Sequence, residues 1–518
     1  MRTPLLPILL VAAGLAACPE PIPAERARPA PPQGTLAPAG LAPEAPEVDV
    51  LNVRRPAEPE WLGLYLVGKK AGWTRVFLGR ELRAGRDVLV GTSETLVRAT
   101  VGGKTVERRQ LEERVFEARP GGRLLSFRGE WSGDGGERSV EGTCTPDGCR
   151  AVLRGAAGPS QTRDLGPVGE TADGADAVRL AAARRATLTG RQIDLDKLRV
   201  REVRTAFVRR ERVAGAGVES EVSVVTEQEV GDRIAAEYRV ADDGRVVEVR
   251  LGEAIVARPE PERTARRLDR VDMFALSRVV LPRPLPRQVP MTVRYRIRGL
   301  PATFHQQDAR QRFAAGPAGE TLLSVSARIP AAADPRRDTP RERARAGADR
   351  EDLAPTPQID SDAPAISRLA REVAGDVPGS YAAAVRLADH VYRRLAKAYG
   401  ASHDRASDVL SAGKGDCTEH ALLFVALARA LGIPARGVLG LVFAQYEDGT
   451  PALYWHAWAE VRSGGEWIAI DPIFGQPVAD ATHIALGGGA RGHFLTQADA
   501  VGLLGALAVE GVEVVGGS

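Results

Sequence analysis

The sequence predicts an α+β chain: a large, mostly antiparallel β region followed by a C-terminal core in which one buried helix lies against an antiparallel sheet. Three observations carry this expectation. Residues 49–330 hold many short alternating runs separated by turn residues. From residue 353 onward, apolar positions recur at helical spacing. Cys417 then opens a run that is apolar almost all round, Ala421 to Leu431, and two strand-like runs follow around Gly464-Gly465.

A chain of 518 residues is long enough for two or three domains, and a hydrophobic fraction of 44% supports a packed core. Charged residues make up 26% with a net charge of only +3. That balance, with no basic stripe interleaved with aromatics, argues against a nucleic-acid binder. The GGGARG stretch after Leu486 lacks the strand–loop–helix frame of a phosphate cradle, so no cofactor is expected.

The first residues, MRTPLLPILLVAAGLAAC, have a positive start at Arg2 and an apolar run from Leu5 to Ala17 that is too short to span a bilayer. Residues 1–17 are therefore expected to be a secretory signal. Its close, Leu15-Ala16-Ala17-Cys18, resembles the bacterial lipoprotein box. That resemblance implies cleavage before Cys18, lipids on Cys18, and a membrane partner reached through them. Pro19, where an Asp would favour retention at the inner membrane, implies the outer membrane facing the periplasm. Residues 18–48 are rich in Pro and Ala and predict an extended tether.

Cys144 and Cys149 flank Thr145-Pro146-Asp147-Gly148, a sequence suited to a tight turn. Opposed hairpin positions are close enough for a disulfide, and an exported chain meets an oxidising compartment. A bond between them is expected; a metal or redox CxxxxC pair would need further ligands nearby. Cys417 is left as the free thiol.

Within the β region, Trp61 to Gly79 predicts two strands joined at Gly68-Lys69. Asp243-Gly244 between β-branched runs is a strong hairpin signal. Met291, Val293, Tyr295 and Ile297 alternate with Thr292, Arg294, Arg296 and Arg298, which predicts one buried face and one basic, solvated face. An anionic lipid or polysaccharide is the alternative use of that arginine row. The whole of 49–330 is expected to form a large antiparallel sheet in one or two subdomains. Residues 331–352, charged and broken by prolines, predict a linker, with the C-terminal domain at 353–518.

Two helices should lead into that domain, one begun by Asp362-Ala363-Pro364 and one capped by Ser380. In GDCTEHALLFVALARALGIPARG, Asp416 and Glu419 have capping-box spacing, while Gly432 and Pro434 end the helix. Cys417 thus lies in the first turn, where free N–H groups and the helix dipole would lower its pKa. Downstream, a two-residue turn at Gly464-Gly465 sets His456 opposite Ile473 and Asp471 opposite Trp458. His456 and Asp471 are then diagonal neighbours on one face, about 7–8 Å apart at Cα. Trp458 and Trp467 share that face and could shield it. Ala457, Ala459, Val461, Ile468 and Ile470 face the buried helix.

GDCTEHALLFVALARALGIPARG, then YWHAWAEV, then WIAIDPIFGQ with the following ATHIAL resembles the transglutaminase-like superfamily, whose fold is papain-like. The resemblance covers about residues 350–490. It implies Cys417 as nucleophile, His456 as general base and acid, and Asp471 as the residue that orients His456. An upstream side chain would complete the oxyanion site, with Tyr399 and His403 as candidates. The acidic calcium loops of animal transglutaminases are not evident, and no metal is expected. Zinc held by Cys417, His420 and His456 is the alternative, but a fourth ligand is not spaced for it. His305, His390, His403, His483 and His493 are expected to be structural or surface residues, and His420 to pack within its helix.

The expected activity is cleavage of amide or peptide bonds in a protein or peptide substrate through a thioester, with hydrolysis favoured over transamidation. The alternative is a non-catalytic lipoprotein whose papain-like domain and β region bind a protein, glycan or lipid.

Overall fold

The computed structural model describes residues 48–515 except 102–103, 134–135, 156–159, 197, 216–217, 233–234, 253, 287–291, 328, 347, 357, 399–402, 404, 446–448, 487–502 and 504. Cys18, Met291, Tyr399, His493 and the GGGARG stretch therefore lie outside the described residues.

Among the described residues, fourteen strands between Glu60 and Pro259 form one antiparallel sheet. From the edge strand Gln161–Asp164 the order runs back to Glu60–Leu66. It then crosses to Ile255–Pro259 and runs back to Thr187–Asp194. Tight turns make neighbours in sequence neighbours in the sheet. Val67 and Gly68 take positive φ between Glu60–Leu66 and Lys69–Arg83, one residue before the Gly68-Lys69 junction that the sequence predicts. Such a turn matches the twist of a hairpin. Gly244, at φ 83°, lies in the turn between Ala236–Ala241 and Val246–Leu251. Cys144 and Cys149 face each other across a hairpin and form a disulfide, with Cα atoms 4.1 Å apart. Short helices Ala172–Ala175 and Ala177–Arg184 link the two arms of the sheet, and Leu180 shares a core with Phe127, Val140 and Ile193.

Strands Thr292–Arg298, Gln311–Ala315 and Thr321–Ser326 lie outside that sheet. They form a second one, whose fourth member is the C-terminal strand Ala508–Val515. Val293, Tyr295 and Ile297 are buried in it, while Arg294, Arg296 and Arg298 face outward. Arg294 and Arg298 pair with Glu513 and Glu510 of the neighbouring strand, so acids of the chain itself answer the arginine row. A boundary at 331–352 consequently does not separate two self-contained units, because an edge in the earlier part takes its backbone partner from the chain's end. Residues 331–352 are not a free linker either: they carry the helix Arg341–Ala346, and Asp338 docks on the next domain element.

Four helices lead to the site: α1 (Pro364–Ala374), α2 (Ser380–Arg394), α3 (Ala406–Ala412) and α4 (Cys417–Ala430). Asp362 does not cap α1; Pro364 at its first turn needs no N–H acceptor. Ser380 is the first residue of α2, not its cap. Asp338 performs that role, accepting the N–H groups of Tyr381 and Ala382 at 2.9 Å each. Four strands follow: β1 (Ala435–Gln445), β2 (Pro451–Ser463), β3 (Glu466–Ile470) and β4 (Ile484–Ala485). Val279–Val280, β2, β1 and β4 lie side by side, and β3 pairs with the end of β2.

The nearly all-apolar α4 is buried among α1, α2 and the sheet. Phe424, Leu427 and Ala428 pack with Ile366, Leu387, Ala459, Val461, Ile468 and Ile470. Each fully buried aliphatic or aromatic side chain there contributes about 1.5–3 kcal/mol. Ala457 belongs instead to the cluster of Leu439, Leu441, Val293 and Tyr295, on which Cys417 also packs. Among the described residues, no helix is long and apolar enough to cross a membrane.

Candidate active site

A capping box starts α4. Asp416 Oδ1 accepts the Thr418 N–H at 2.9 Å, and Glu419 Oε2 accepts the Asp416 N–H at 2.9 Å. Gly415 makes the tight entry possible, since a Cβ there would lie 2.3 Å from Glu419 Cβ. These local bonds place Cys417 at the first helical residue, half-buried. The Ala457 N–H donates to its sulfur, which sets the thiol beside the residue adjoining His456.

The thiol differs from the expectation for a helix start. Burial and the nearby Asp416 carboxylate push its pKa well above the usual value. The Ala457 N–H opposes this, and Glu419 and Asp471 add to it. Burial, the largest of these effects, therefore sets the direction at this position, and the nearby carboxylates add to it.

Hairpin register brings the next two groups together. Ala459 pairs with Ile470 and Ser463 with Glu466, as a two-residue turn at Gly464-Gly465 requires. Asp471 follows β3 directly, and His456 Nε2 donates to Asp471 Oδ2 at 2.7 Å. Asp471 is fully buried, and its Oδ1 accepts the N–H groups of Ile473 and Phe474 at 2.8 and 2.9 Å. Burial alone would raise its pKa; His456 and His483 overcome this and hold the carboxyl far below the usual range.

His483 and Asp480 are the residues that the sequence does not single out. His483 Nε2 donates to Asp471 Oδ2 at 2.9 Å, and its Nδ1 lies 3.1 Å from Asp480 Oδ1. The ring is fully buried, so His483 is not a surface histidine. Burial lowers its pKa, but the two carboxylates raise it further than burial lowers it. The signal available in sequence is an Asp-x-Thr-His cluster, Asp480 to His483, in an otherwise apolar stretch.

Aromatic rings enclose the pair. Phe474 stacks on His456 with centroids 4.8 Å apart, and Trp458 lies near-parallel to it at 6.0 Å. Trp467 does not shield His456; it sits under the Arg436 guanidinium at 3.9 Å. His420 Nδ1 donates to the Asp416 carbonyl within its own helix. The backbone N–H of His403 donates to Glu419 Oε1.

Ligating atoms of His456, Asp471 and His483 lie within 4.8 Å of one another. Each is already hydrogen-bonded to a neighbour in the trio, so a metal would have to displace two N–H···O bonds. Cys417 and His420 do not belong to that group, which disfavours the zinc alternative. The hydrogen-bonded His456–Asp471 pair and the thiol that lies by Ala457 are the residue types that cysteine-based acyl chemistry uses.

No curated protein matches the chain in sequence. Solved structures similar to it include three from bacteria. A candidate cysteine protease from Cytophaga hutchinsonii is 17% identical, covering 43% of this chain and 86% of that one, with a TM-score of 0.26. A beta-barrel-like protein of a domain of unknown function from Brucella abortus is 12% identical, covering 39% and 94%, with a TM-score of 0.29. A candidate protease from Parabacteroides distasonis ATCC 8503 is 10% identical, covering 77% and 70%, with a TM-score of 0.21. Residues 367–472 match the family model of the Transglutaminase-like superfamily, a span that contains Cys417, His456 and Asp471; the C-terminal part of this chain carries a transglutaminase-like domain.

Proposed function

We propose that the chain is an exported, lipid-anchored cysteine enzyme that cleaves amide or peptide bonds of a protein or peptide substrate. The single observation that supports this best is the His456–Asp471 hydrogen bond, formed beside a thiol that opens a buried helix. In the proposed reaction His456 takes the Cys417 proton as sulfur attacks the carbonyl carbon. The tetrahedral intermediate then expels the amine, which leaves with the proton from His456, and a thioester remains. Water attacks the thioester, giving its proton to His456, and the carboxylic acid departs as the thiol is restored. Asp471 keeps the ring turned and stabilises its charged form. Hydrolysis is favoured over transfer to an amine.

Export and a lipid at Cys18 rest on the N-terminal sequence, with the outer membrane facing the periplasm as the site. The Cys144–Cys149 disulfide supports an oxidising compartment.

Mass spectrometry of the Cys417 peptide after reaction with p-nitrophenyl acetate or iodoacetamide tests the activity. Acylation and rapid alkylation are expected in the wild type. Cys417→Ala should take up neither at this position, and His456→Ala should react at least tenfold more slowly. Equal rates in wild type and His456→Ala would overturn the reading. One observation favours a second, non-catalytic reading: burial and Asp416 hold the resting thiol protonated. On that reading, alkylation of Cys417 would not exceed that of a free cysteine at pH 7.

A further inference from the structure

Asp471 Oδ2 serves two imidazoles at once. It accepts from His456 Nε2 at 2.7 Å and from His483 Nε2 at 2.9 Å. The remaining nitrogen of His483 faces Asp480 Oδ1 at 3.1 Å. Ionised carboxylates only accept. Asp480 is committed as an acceptor, taking the Thr482 N–H at 2.7 Å and the Gln476 amide at 2.8 Å. Both ring nitrogens of His483 therefore donate, and the ring is an imidazolium shared by two carboxylates. All four groups are more than nine-tenths buried: His456 is 5% exposed, Asp480 7%, Asp471 and His483 0%.

We infer that His483, held by Asp480, is a positioning residue that fixes the Asp471 carboxylate with Oδ2 toward His456. This rests on the proposed roles of Cys417 and His456. Asp471 lies just past the end of β3, where its backbone N–H and carbonyl bond Gln476 instead of β2, which fixes the main chain but not the turn of the carboxylate. Two backbone N–H groups pin Oδ1, whereas among the described residues the two imidazoles are what hold Oδ2. Without His483, the carboxylate would face Asp480 with no cation between them.

The support continues outward. Arg310 donates to the carbonyls of Ala479 and Asp480 at 3.1 and 2.8 Å. Gln311 brackets Ala485, accepting its N–H at 2.7 Å and donating to its carbonyl at 3.0 Å. The charged or titratable groups facing His483 come from three elements: Asp480 from its own segment, Asp471 after β3, and His456 on β2, its ring centroid 5.7 Å away. Trp458 closes the remaining side edge-on at 5.2 Å.

The test uses the full chain and iodoacetamide, reading the second-order alkylation rate of Cys417 at pH 7 by peptide mass spectrometry, with thermal unfolding recorded for each variant. His483→Ala and Asp480→Ala should each lower the rate at least tenfold. Asp480→Asn, whose carbonyl still accepts from His483 Nδ1, should recover most of what Asp480→Ala loses. If His483→Ala does not fold, His483→Gln replaces it, with an expected loss of at least threefold. A folded His483 variant within twofold of wild type, in a chain where His456→Ala does slow alkylation, would overturn this inference alone. A lowered melting temperature with an unchanged rate would do the same, by making the role structural. If His456→Ala has no effect, the proposed function fails and this inference falls with it.

Discussion

Gly440 sits directly opposite His456 in the β1–β2 register, and it leaves a space that the site uses. A Cβ on Gly440 would lie 2.0 Å from the Ile484 carbonyl oxygen and 2.8 Å from the Trp458 ring. The bare backbone lets β4 lie against β1, which carries His483 to Asp471. Gly440→Ala is expected to destabilise the fold by about 1–3 kcal/mol, as overpacking does. It should also slow Cys417 alkylation at temperatures where the variant is folded. Urea unfolding together with the alkylation rate checks both; an alanine variant as stable and reactive as the wild type would contradict the close approach.

The buried ionisable cluster predicts a pH dependence with a definite sign. Asp471 and Asp480 have folded pKa values below their unfolded ones. Their contribution is present above about pH 4 and is lost as pH falls further. His483 has a raised folded pKa, so its contribution is complete below about pH 6.5 and is lost as pH rises toward the folded value. The stability gap between wild type and His483→Gln should therefore be widest near pH 5.5 and shrink by pH 9. Urea unfolding at pH 5.5, 7 and 9 measures it. A gap that stays constant or widens with pH would contradict an imidazolium at this position.

Locally determined features were legible in the sequence. Asp416 and Glu419 lie three residues apart and form their capping box without help from elsewhere. Gly464-Gly465 forms a two-residue turn, so the register that brings Asp471 near His456 follows from residue spacing alone. The missed features depend on distant chain. His483 meets Asp471 only because β4 pairs with β1, and a histidine in THIAL looks like ordinary core when read in isolation. The cap of α2 comes from Asp338, 43 residues before Tyr381, so a search among adjacent residues finds Ser380 instead. For the thiol, the dipole is visible in a helix pattern, whereas the surroundings that raise its pKa come from the rest of the fold.

Gln311 couples the two parts of the chain. It is fully buried, and its side chain bonds the carbonyls of Gln306 and Ala485 and the N–H of Ala485. Gln311→Ala would leave the Ala485 groups without these partners, at a cost of about 1–3 kcal/mol for each buried group left unsatisfied. The same reasoning predicts that a fragment of residues 353–518 will not hold segment 479–485 in place, because it lacks Arg310, Gln311 and the strand that pairs with Ala508–Val515. Hydrogen exchange at Ala485 and Leu486 should be fast in the fragment and slow in the full chain. Equal protection in both would show that the transglutaminase-like domain stands alone.

Asp338 offers the opposite separation, of stability from reactivity. Its carboxylate accepts from Tyr381 and Ala382 at the start of α2 and from Ser463 Oγ at the end of β2. It thereby ties residues 331–352 to a helix and a strand at once, yet none of these three bonds reaches Cys417, His456 or Asp471. Loss of an N-cap typically costs about 0.5–2 kcal/mol, and here the Ser463 hydroxyl loses its acceptor as well. Asp338→Ala should therefore lower the unfolding midpoint by an amount at the upper end of that range, while Cys417 in the folded fraction alkylates at the wild-type rate. Asp338→Asn, which can still accept through its carbonyl, should restore part of the stability. If Asp338→Ala instead slowed alkylation as much as His483→Ala, the precise placement of α2 and β2 would matter to the thiol, and the positioning role would extend well beyond the residues that touch Asp471.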